Sequence, residues 1–193
     1  AKKIGYIYLP SFYEDWEDKA RVNGCANDVA KEIVKLKKDK IDGLILDIRY
    51  NGGGSVQEAV DLAGIFIDAG PLTQMKRKEA KPVTLKDMNR GTIYDGPLAV
   101  LVNGYSASAS ELLAGAMQDY NRAVIMGTST YGKATGQRIL PLDTTIDLSS
   151  DLRNINTTAY LKLTLSQVFR VSGTTAQFSG IVPDIHIPDF SEA

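Results

Sequence analysis

Residues 98–111 read LAVLVNGYSASASE, and this stretch decides the fold of the chain. Its first five residues form an apolar run, followed by Asn103, that is typical of a buried strand. Gly104 breaks the run, and the serine–alanine repeat leads into a helix predicted from about Ser108 to Tyr120. A buried strand, a turn of small residues and a helix form one strand–turn–helix unit, which indicates an α/β protein.

The same order of parts occurs once before this stretch, and a further strand follows it. An apolar run over residues 43–49 is broken by Asn51-Gly52-Gly53-Gly54, and residues 56–67 read as a helix. A third apolar run covers residues 123–127. Because helices that join successive strands form right-handed crossovers, we expect a mostly parallel sheet.

The rest of the chain predicts additional β structure at both ends. Alternation over residues 3–9 indicates an opening strand, and helical spacing over 26–36 indicates a helix with Asn23 as its cap. The other predicted segments are an exposed hairpin or loop over 74–96, a mobile loop over 141–158, a strand or hairpin over 160–171 and an extended tail over 180–188.

Composition excludes several classes of function. The net charge of −1 with both signs interspersed argues against a nucleic-acid or anionic-membrane partner. No stretch approaches the roughly 20 apolar residues of a membrane span. Cys25 is the only cysteine, so the chain has no internal disulfide and no cysteine-rich metal site. We interpret Cys25 as a structural thiol, and we expect no metal and no organic cofactor.

A serine and a lysine are the candidate reactive groups. A serine hydroxyl needs a base beside it, and the single histidine, His186, lies close to the C-terminus, where we interpret it as structural. Lys133 follows Gly132 about two dozen residues after Ser108, and lysine is a known replacement for histidine in this role. Burial or a nearby cation must lower the pKa of Lys133 for it to act as a base. The pattern predicts a serine hydrolase without a catalytic histidine.

Two backbone segments are candidates for stabilising an oxyanion. The turn at Gly53 and Gly54 lacks Cβ atoms, so its N–H groups can approach a ligand closely. Ala109 follows Ser108 at a helix start, where N–H groups have no partner within the helix and favour negative charge. A carbonyl held between the two segments would have an oxyanion hole.

Each signal alone also has a purely structural interpretation. Small residues such as those around Ser108 suit any helix N-cap, and Glu111 is at the right spacing to be its capping-box partner. Asp119 could form an ion pair with Arg122, and Gln137 could satisfy a strand edge. The combination of the blocks, in order and spacing, is what favours catalysis.

The combined blocks resemble the C-terminal processing proteases, and within them the tail-specific branch. The similarity is carried by LDIRYNGGG at 46–54, VLVNGYSASASE at 100–111, AMQDYNRA at 116–123 and GTSTYGK at 127–133. It extends from Gly5 to Ile185, which is nearly the whole chain. The fold it implies is the crotonase and Clp-protease superfold, a spiral of ββα units around a mostly parallel sheet.

The resemblance also implies roles for individual residues. Ser108 would be the nucleophile, Lys133 the base and Gln137 a residue that orients the lysine. The oxyanion hole would be formed by Gly53, Gly54 and Ala109, and the accessory residues would be Asp119, Glu111 and Thr130. The implied activity is that of a serine endopeptidase that cleaves polypeptides at or near unstructured, apolar C-terminal tails, in the periplasm or cell envelope of a bacterium.

The chain departs from the family pattern in two ways. The family reads Gly-Lys-Gly, whereas this chain has Ala134 after the lysine and Gly136 just before Gln137. The PDZ domain that captures substrate tails and the flanking helical regions are absent, so we expect residues 1–193 to be the single catalytic core of a longer chain that contains a PDZ domain. The alternatives are an inactive peptide-binding or scaffolding module on the same fold, and an acyl-CoA enzyme, which would not need a serine–lysine pair.

Overall fold

The computed structural model describes residues 2–15, 23–88, 90–142 and 159–190. Within these residues it contains nine strands and three helices. In chain order the elements are β1 (Ile4–Tyr8), α1 (Cys25–Lys38), β2 (Gly43–Asp47), α2 (Val56–Gly64), β3 (Gly70–Arg77), β4 (Val83–Asp87), β5 (Leu98–Val102), α3 (Ala109–Asp119), β6 (Val124–Gly127), β7 (Thr135–Pro141), β8 (Tyr160–Phe169) and β9 (Ile185–His186). None of the helices in the described part of the chain is long and apolar enough to cross a membrane.

The first sheet is parallel throughout, with the strand order β1-β2-β5-β6-β9. The predicted α/β class and the mostly parallel sheet are therefore confirmed. The sheet also includes the predicted extended tail, because Ile185 and His186 pair with Met126 and Gly127 of β6. His186 thus lies at an edge of this sheet.

The core lies between the parallel sheet and the three helices. Strands β2 and β5 contribute Leu46 and Val100, and α3 contributes Leu113 and Met117, all of them fully buried. A strand that is covered on its core face by helices needs an apolar run, which is why these strands were recognisable in the sequence. Because the residues of α3 are buried on almost every side, the helix that starts at Ser108 is held rigidly.

The second sheet is antiparallel, with the order β4-β3-β8-β7. The hairpin or loop predicted over 74–96 is a hairpin of β3 and β4 that begins earlier, at Gly70, and the strand or hairpin predicted over 160–171 is β8. Strand β7, which directly follows Lys133, was not predicted. Its sequence TGQRILP has three polar residues among the first four and no buried side chain, so only its pairing with β8 makes it a strand.

Two further predictions concern the cap of α1 and the loop over residues 141–158. Asn23 does not cap α1: the N-cap is Gly24, and the carboxylate of the distant Glu58 accepts the N–H of Ala26 at 2.8 Å. A Cβ on Gly24 would lie 2.3 Å from that carboxylate, so a glycine here makes room for it. The mobile loop predicted over 141–158 falls almost entirely outside the described residues.

The α3 core yields a stability prediction. Replacing Leu113 by alanine should lower the free energy of unfolding by about 2–5 kcal/mol, because it leaves a cavity at a fully buried position. Urea unfolding followed by circular dichroism measures the loss. The control is Val34→Ala on α1, where the side chain is 47% exposed and a change within about 0.5 kcal/mol is expected. Equal losses for the two variants would contradict the assignment of Leu113 to the core.

Candidate active site

The site forms where the parallel strands β2 and β5 end side by side. The carbonyl of Asn51, just beyond β2, accepts the N–H of Ala107 at 3.0 Å and the hydroxyl of Ser110 at 2.8 Å. Because the carboxyl ends of parallel strands meet at one edge of the sheet, the two turns are brought together by the fold itself. The glycine turn and the serine turn are thereby fixed against each other.

A buried serine holds the second turn in shape. The hydroxyl of Ser106 donates to the carbonyl of Ile48 at 2.8 Å and accepts the N–H of Asn103 at 3.0 Å. The side chain of Asn103 in turn accepts the N–H groups of Tyr50 and Tyr105. These bonds satisfy backbone groups that the strand ladders leave free, so the approach to Ser108 is rigid.

Ser108 has an unusual backbone conformation at the start of α3, with φ 61° and ψ −112°. A positive φ at a residue other than glycine is uncommon and is strained outside the left-handed helical region. Such strain persists only where the surrounding structure enforces it, and it concentrates at functional sites. Ser108, the predicted nucleophile, thus has a strained backbone.

Lys133 reaches Ser108 from a separate loop. Its Nζ lies 3.5 Å from the Oγ of Ser108, at the long end of hydrogen-bond range, as is common for catalytic pairs without substrate. Gly132 before it has φ +88°, and a Cβ there would lie 2.9 Å from the backbone of Phe178. The glycine therefore allows the lysine loop to pack closely on the segment that contains Phe178.

The carboxylate of Glu111 joins the serine turn to the lysine loop. Its Oε2 accepts the N–H of Ser108 and the N–H of Lys133, each at 2.8 Å. Its Oε1 accepts the hydroxyl of Thr130 and the N–H of Gly132, each at 2.7 Å. The predicted capping-box bond from Ser108 is confirmed, but the carboxylate also has three donors from the lysine loop, which spacing alone could not predict.

The surroundings of Lys133 favour its neutral form. Burial lowers the pKa of its ammonium group, and the positive charge of Lys162 on β8 lowers it further. The Glu111 carboxylate acts in the opposite direction. The balance is a lowered pKa, which is the change that a lysine base requires.

The glycine turn faces the start of α3. The N–H of Gly53 donates to the side chain of its neighbour Asn51 at 2.9 Å. A Cβ on Gly53 would lie 2.7 Å from the carbonyl oxygen of Ala107, so only glycine permits this approach. Among the described residues, the N–H groups of Gly54 and Ala109 have no acceptor. Of the three predicted oxyanion donors, these two are therefore available to a ligand.

Ser108 and Lys133 line a cleft of about 630 Å³ that has the glycine turn and α3 on one side and the antiparallel sheet on the other. Apolar side chains from both sides form one part of it: Val56, Leu72, Met75, Leu112, Val168 and Phe169. Gly54, Ala109, Glu111 and Gln137 line the same cleft. A concave, largely apolar site with a few converging polar groups is typical of a binding site for an extended ligand.

The other predicted site residues have different surroundings. Gln137 also lines the cleft, but its amide donates to Thr164 at 3.4 Å and does not bond to Lys133. Asp119 forms an ion pair with Arg170 at 2.6 Å. The alternative pairing of Asp119 with Arg122 was wrong, since the Arg122 guanidinium donates to carbonyl oxygens of Phe66, Tyr94 and Gly96.

Burial raises the pKa of the Cys25 thiol, and the side chain is enclosed at the start of α1. This environment agrees with its interpretation as a structural thiol.

Ala134, which stands where the family pattern has glycine, contacts β8 and the segment that follows it. Ala134 is buried, its N–H donates to the side chain of Gln177 at 2.7 Å, and its carbonyl accepts the N–H of Val168. Gly136 lies opposite Ser166, where a Cβ would come within 2.3 Å of the serine hydroxyl. The chain thus keeps a glycine two residues farther along, where the close contact occurs.

Sequence reasoning missed two basic residues that contribute to the site. Lys162 lines the cleft and influences Lys133, and Arg170 lines the cleft while it binds Asp119. Both lie on or next to β8, which pairs with β7 directly after the lysine. The pairing of this polar segment with a strand that begins at Tyr160 has no local sequence signal.

Comparison with known proteins identifies the family to which the chain belongs. The family model described as Peptidase family S41 matches residues 3–187. A tail-specific protease of Haemophilus influenzae is 38% identical over 192 residues, which is 100% of this chain and 26% of the relative. A carboxy-terminal-processing protease of Bartonella bacilliformis is 34% identical over 183 residues, covering 94% of this chain and 38% of the relative.

A solved structure agrees with these relatives. The photosystem II D1 C-terminal processing protease superimposes with a TM-score of 0.74 at 28% identity, covering 95% of this chain and 42% of the other. Fold and relatives together place the chain in the class of serine-type peptidases. The chain belongs to peptidase family S41, and it spans 26% and 38% of the length of the two bacterial relatives.

The Glu111 network predicts a large effect of one substitution. Replacing Glu111 by alanine leaves four donors without their acceptor, so we expect a loss of about 3 kcal/mol or more in the free energy of unfolding. The matched control is Glu32→Ala, which removes only an exposed pair with Lys35 and should change stability by less than about 1 kcal/mol. Chemical denaturation of both variants provides the comparison, and similar midpoints would contradict a structural role for Glu111.

Proposed function

We propose that this chain is the catalytic core of a C-terminal processing endopeptidase that uses Ser108 as nucleophile and Lys133 as general base. The observation that carries the proposal is the approach of the Lys133 amine to the Ser108 hydroxyl, combined with a lysine pKa lowered by burial. A serine that is activated by an adjacent base is the basis of acyl-enzyme catalysis. The cleft supplies the space for an extended polypeptide.

The first half of the reaction forms an ester. Neutral Lys133 takes the proton of Ser108 as the serine oxygen attacks the peptide carbonyl carbon. The oxyanion is stabilised by the N–H groups of Gly54 and Ala109, each worth about 3 kcal/mol in comparable sites. Gly53 contributes by holding the turn. The protonated lysine then donates its proton to the leaving amine as the C–N bond breaks.

The second half hydrolyses the ester. Lys133, neutral again, takes a proton from a water molecule that attacks the acyl carbon, and the proton returns to the Ser108 oxygen as the C–O bond breaks. No metal or organic cofactor takes part in these steps. Glu111 and Thr130 act as positioning residues, because they hold the loop that carries the lysine.

Two residues keep weaker roles in the proposal. We infer that Gln137, which lines the cleft four residues after Lys133, orients the lysine or the substrate once the cleft is occupied. Asp119 supports the cleft indirectly, since it fixes the guanidinium of Arg170 on the cleft wall. Substitution of either residue would therefore change the rate of cleavage but would leave the nucleophile in place.

The substrate class follows from the names of the relatives and from the apolar part of the cleft. The relatives are called tail-specific and carboxy-terminal-processing proteases, so we propose polypeptides with unstructured apolar C-terminal tails as substrates. We further propose that a PDZ domain elsewhere in the full-length chain captures those tails. The resemblance to the bacterial enzymes supports a location in the periplasm or cell envelope.

The first test is cleavage of an unfolded protein with an apolar tail, followed by intact-mass spectrometry. Wild type should release tail fragments, whereas Ser108→Ala and Lys133→Ala should each lose activity by about a thousandfold or more. Ser179→Ala is the matched control, since that exposed serine lies outside the cleft. Cleavage that survives both active-site substitutions would exclude the serine–lysine mechanism. Binding without cleavage by wild type would favour the inactive peptide-binding module.

The pH dependence provides a second test. Because only neutral Lys133 acts as a base, kcat/KM should rise toward alkaline pH as the lysine loses its proton. Lys162 lowers the pKa of Lys133, so Lys162→Met should raise that pKa and move the rising limb to higher pH. Lys76→Met, on the same sheet but away from the cleft, should leave the limb in place. A flat profile would contradict a lysine base.

A further inference from the structure

The charges in the cleft are distributed unevenly. Six charged side chains line it, and only one of them, Glu111, is acidic; the five basic ones are Arg77, Lys133, Arg138, Lys162 and Arg170. A cleft lined by one sign of charge focuses its field and attracts ligand groups of the opposite sign. The excess of positive charge is unexpected in a chain whose net charge is −1.

The acidic groups nearby do not neutralise this excess. The two oxygens of Glu111 already accept four hydrogen bonds from the protein. Asp119 is paired with Arg170. No carboxylate in the described part of the chain forms an ion pair with Arg77 or Lys162. Within the described residues, these two cations therefore have no acidic partner.

Strand register places apolar and basic side chains of the cleft a few residues apart. Met75 of β3 lies opposite Val168 of β8, and both line the cleft. Two residues along β3, Arg77 lies opposite Ser166 and lines the same side. Lys162 is six residues from Val168 along β8, or about 20 Å at the usual rise of a strand. Apolar and basic side chains are interspersed along β8, since Ile139 lies opposite Lys162 and Arg170 follows Phe169.

The lysine of the reactive pair lies beside the apolar positions of β8, because the carbonyl of Ala134, next to Lys133, accepts the N–H of Val168 at 2.9 Å. The positive charge of Lys162 helps to lower the pKa of Lys133. Thr135, two residues after Lys133, pairs with Gln167 on β8, between the apolar and the basic positions. A peptide that is cleaved at Ser108 would therefore pass both apolar and basic side chains of the cleft.

We propose that the cleft selects polypeptide segments that carry an acidic side chain a few residues from an apolar one, with Arg77 and Lys162 receiving the carboxylate. This inference rests on the proposed peptidase function and names a substrate feature beyond the apolar tail. Because both cations are exposed, each contact contributes up to about a factor of five and weakens as salt rises. The consequence is selectivity among tails of similar apolar character.

The test uses matched fluorogenic peptides that differ at one position. Glutamate, glutamine or lysine is placed at successive positions on either side of the cleaved bond, with C-terminally amidated and free versions of each. We expect one set of positions at which kcat/KM follows the order Glu, Gln, Lys, with about a fivefold step at low salt that shrinks at high salt. The amidated peptides show whether the carboxylate is a side chain or the chain terminus.

Charge reversal identifies the residues that are responsible. Arg77→Glu combined with Lys162→Glu should invert the order to Lys, Gln, Glu. Lys76→Glu combined with Lys78→Glu is the matched control, because neither of these neighbours of Arg77 lines the cleft and the pair changes the charge by the same amount. The control should keep the order of wild type. Equal kcat/KM for the three peptides at every position, or an order unaffected by the double reversal, would overturn the inference.

The inference can fail separately from the proposed function. If wild type cleaves the glutamine peptide but does not distinguish glutamate from lysine, the peptidase proposal stands and the charge selection is wrong. If no peptide is cleaved, fluorescence anisotropy with Ser108→Ala measures binding of the same set. Tighter binding of the glutamate peptide, reversed in the double variant, would support the inference without turnover, and equal binding would refute it.

Discussion

The site depends on one buried carboxylate, that of Glu111. It accepts hydrogen bonds from Ser108 at the start of α3 and from Thr130, Gly132 and Lys133 in a loop two dozen residues away. A buried charge is tolerated only where hydrogen bonds compensate for the lost water. The chain is therefore forced to bring both segments to the same carboxylate. The distance between serine and lysine is a consequence of this requirement.

The same carboxylate creates a conflict that the rest of the cleft resolves. Its negative charge favours the protonated form of Lys133, which opposes the role of a base. Burial of the amine and the positive charge of Lys162 act against it and prevail. The second sheet thus has two tasks, since β8 contributes Lys162 and, with β3, forms one wall of the cleft. Glu111 on α3 thus holds the backbone of Lys133 in place, whereas Lys162 on β8 helps to lower the lysine pKa.

Sequence reasoning was accurate where local pattern and burial agree. The parallel strands were visible as apolar runs, and Ser108 lies at a helix start as predicted. It failed where partners are distant in sequence. Strand β7 forms because it pairs with β8, α1 is capped by Glu58 and not by Asn23, and Asp119 binds Arg170 and not Arg122. For α1 and for Asp119 the predicted partner is near in sequence, whereas the actual partner is more than thirty residues away. For β7 no partner was predicted.

By itself, the sequence determined the α/β class, the parallel sheet and the identity of the serine and lysine blocks. These features follow from hydrophobic periodicity and from glycine and serine at strand ends, which act over a few residues. Only the tertiary structure decided the strained backbone of Ser108, the four bonds to Glu111, the lowered pKa of Lys133 and the basic side chains of the cleft. All of these arise from electrostatic and steric contacts between segments that the chain brings together only when it folds.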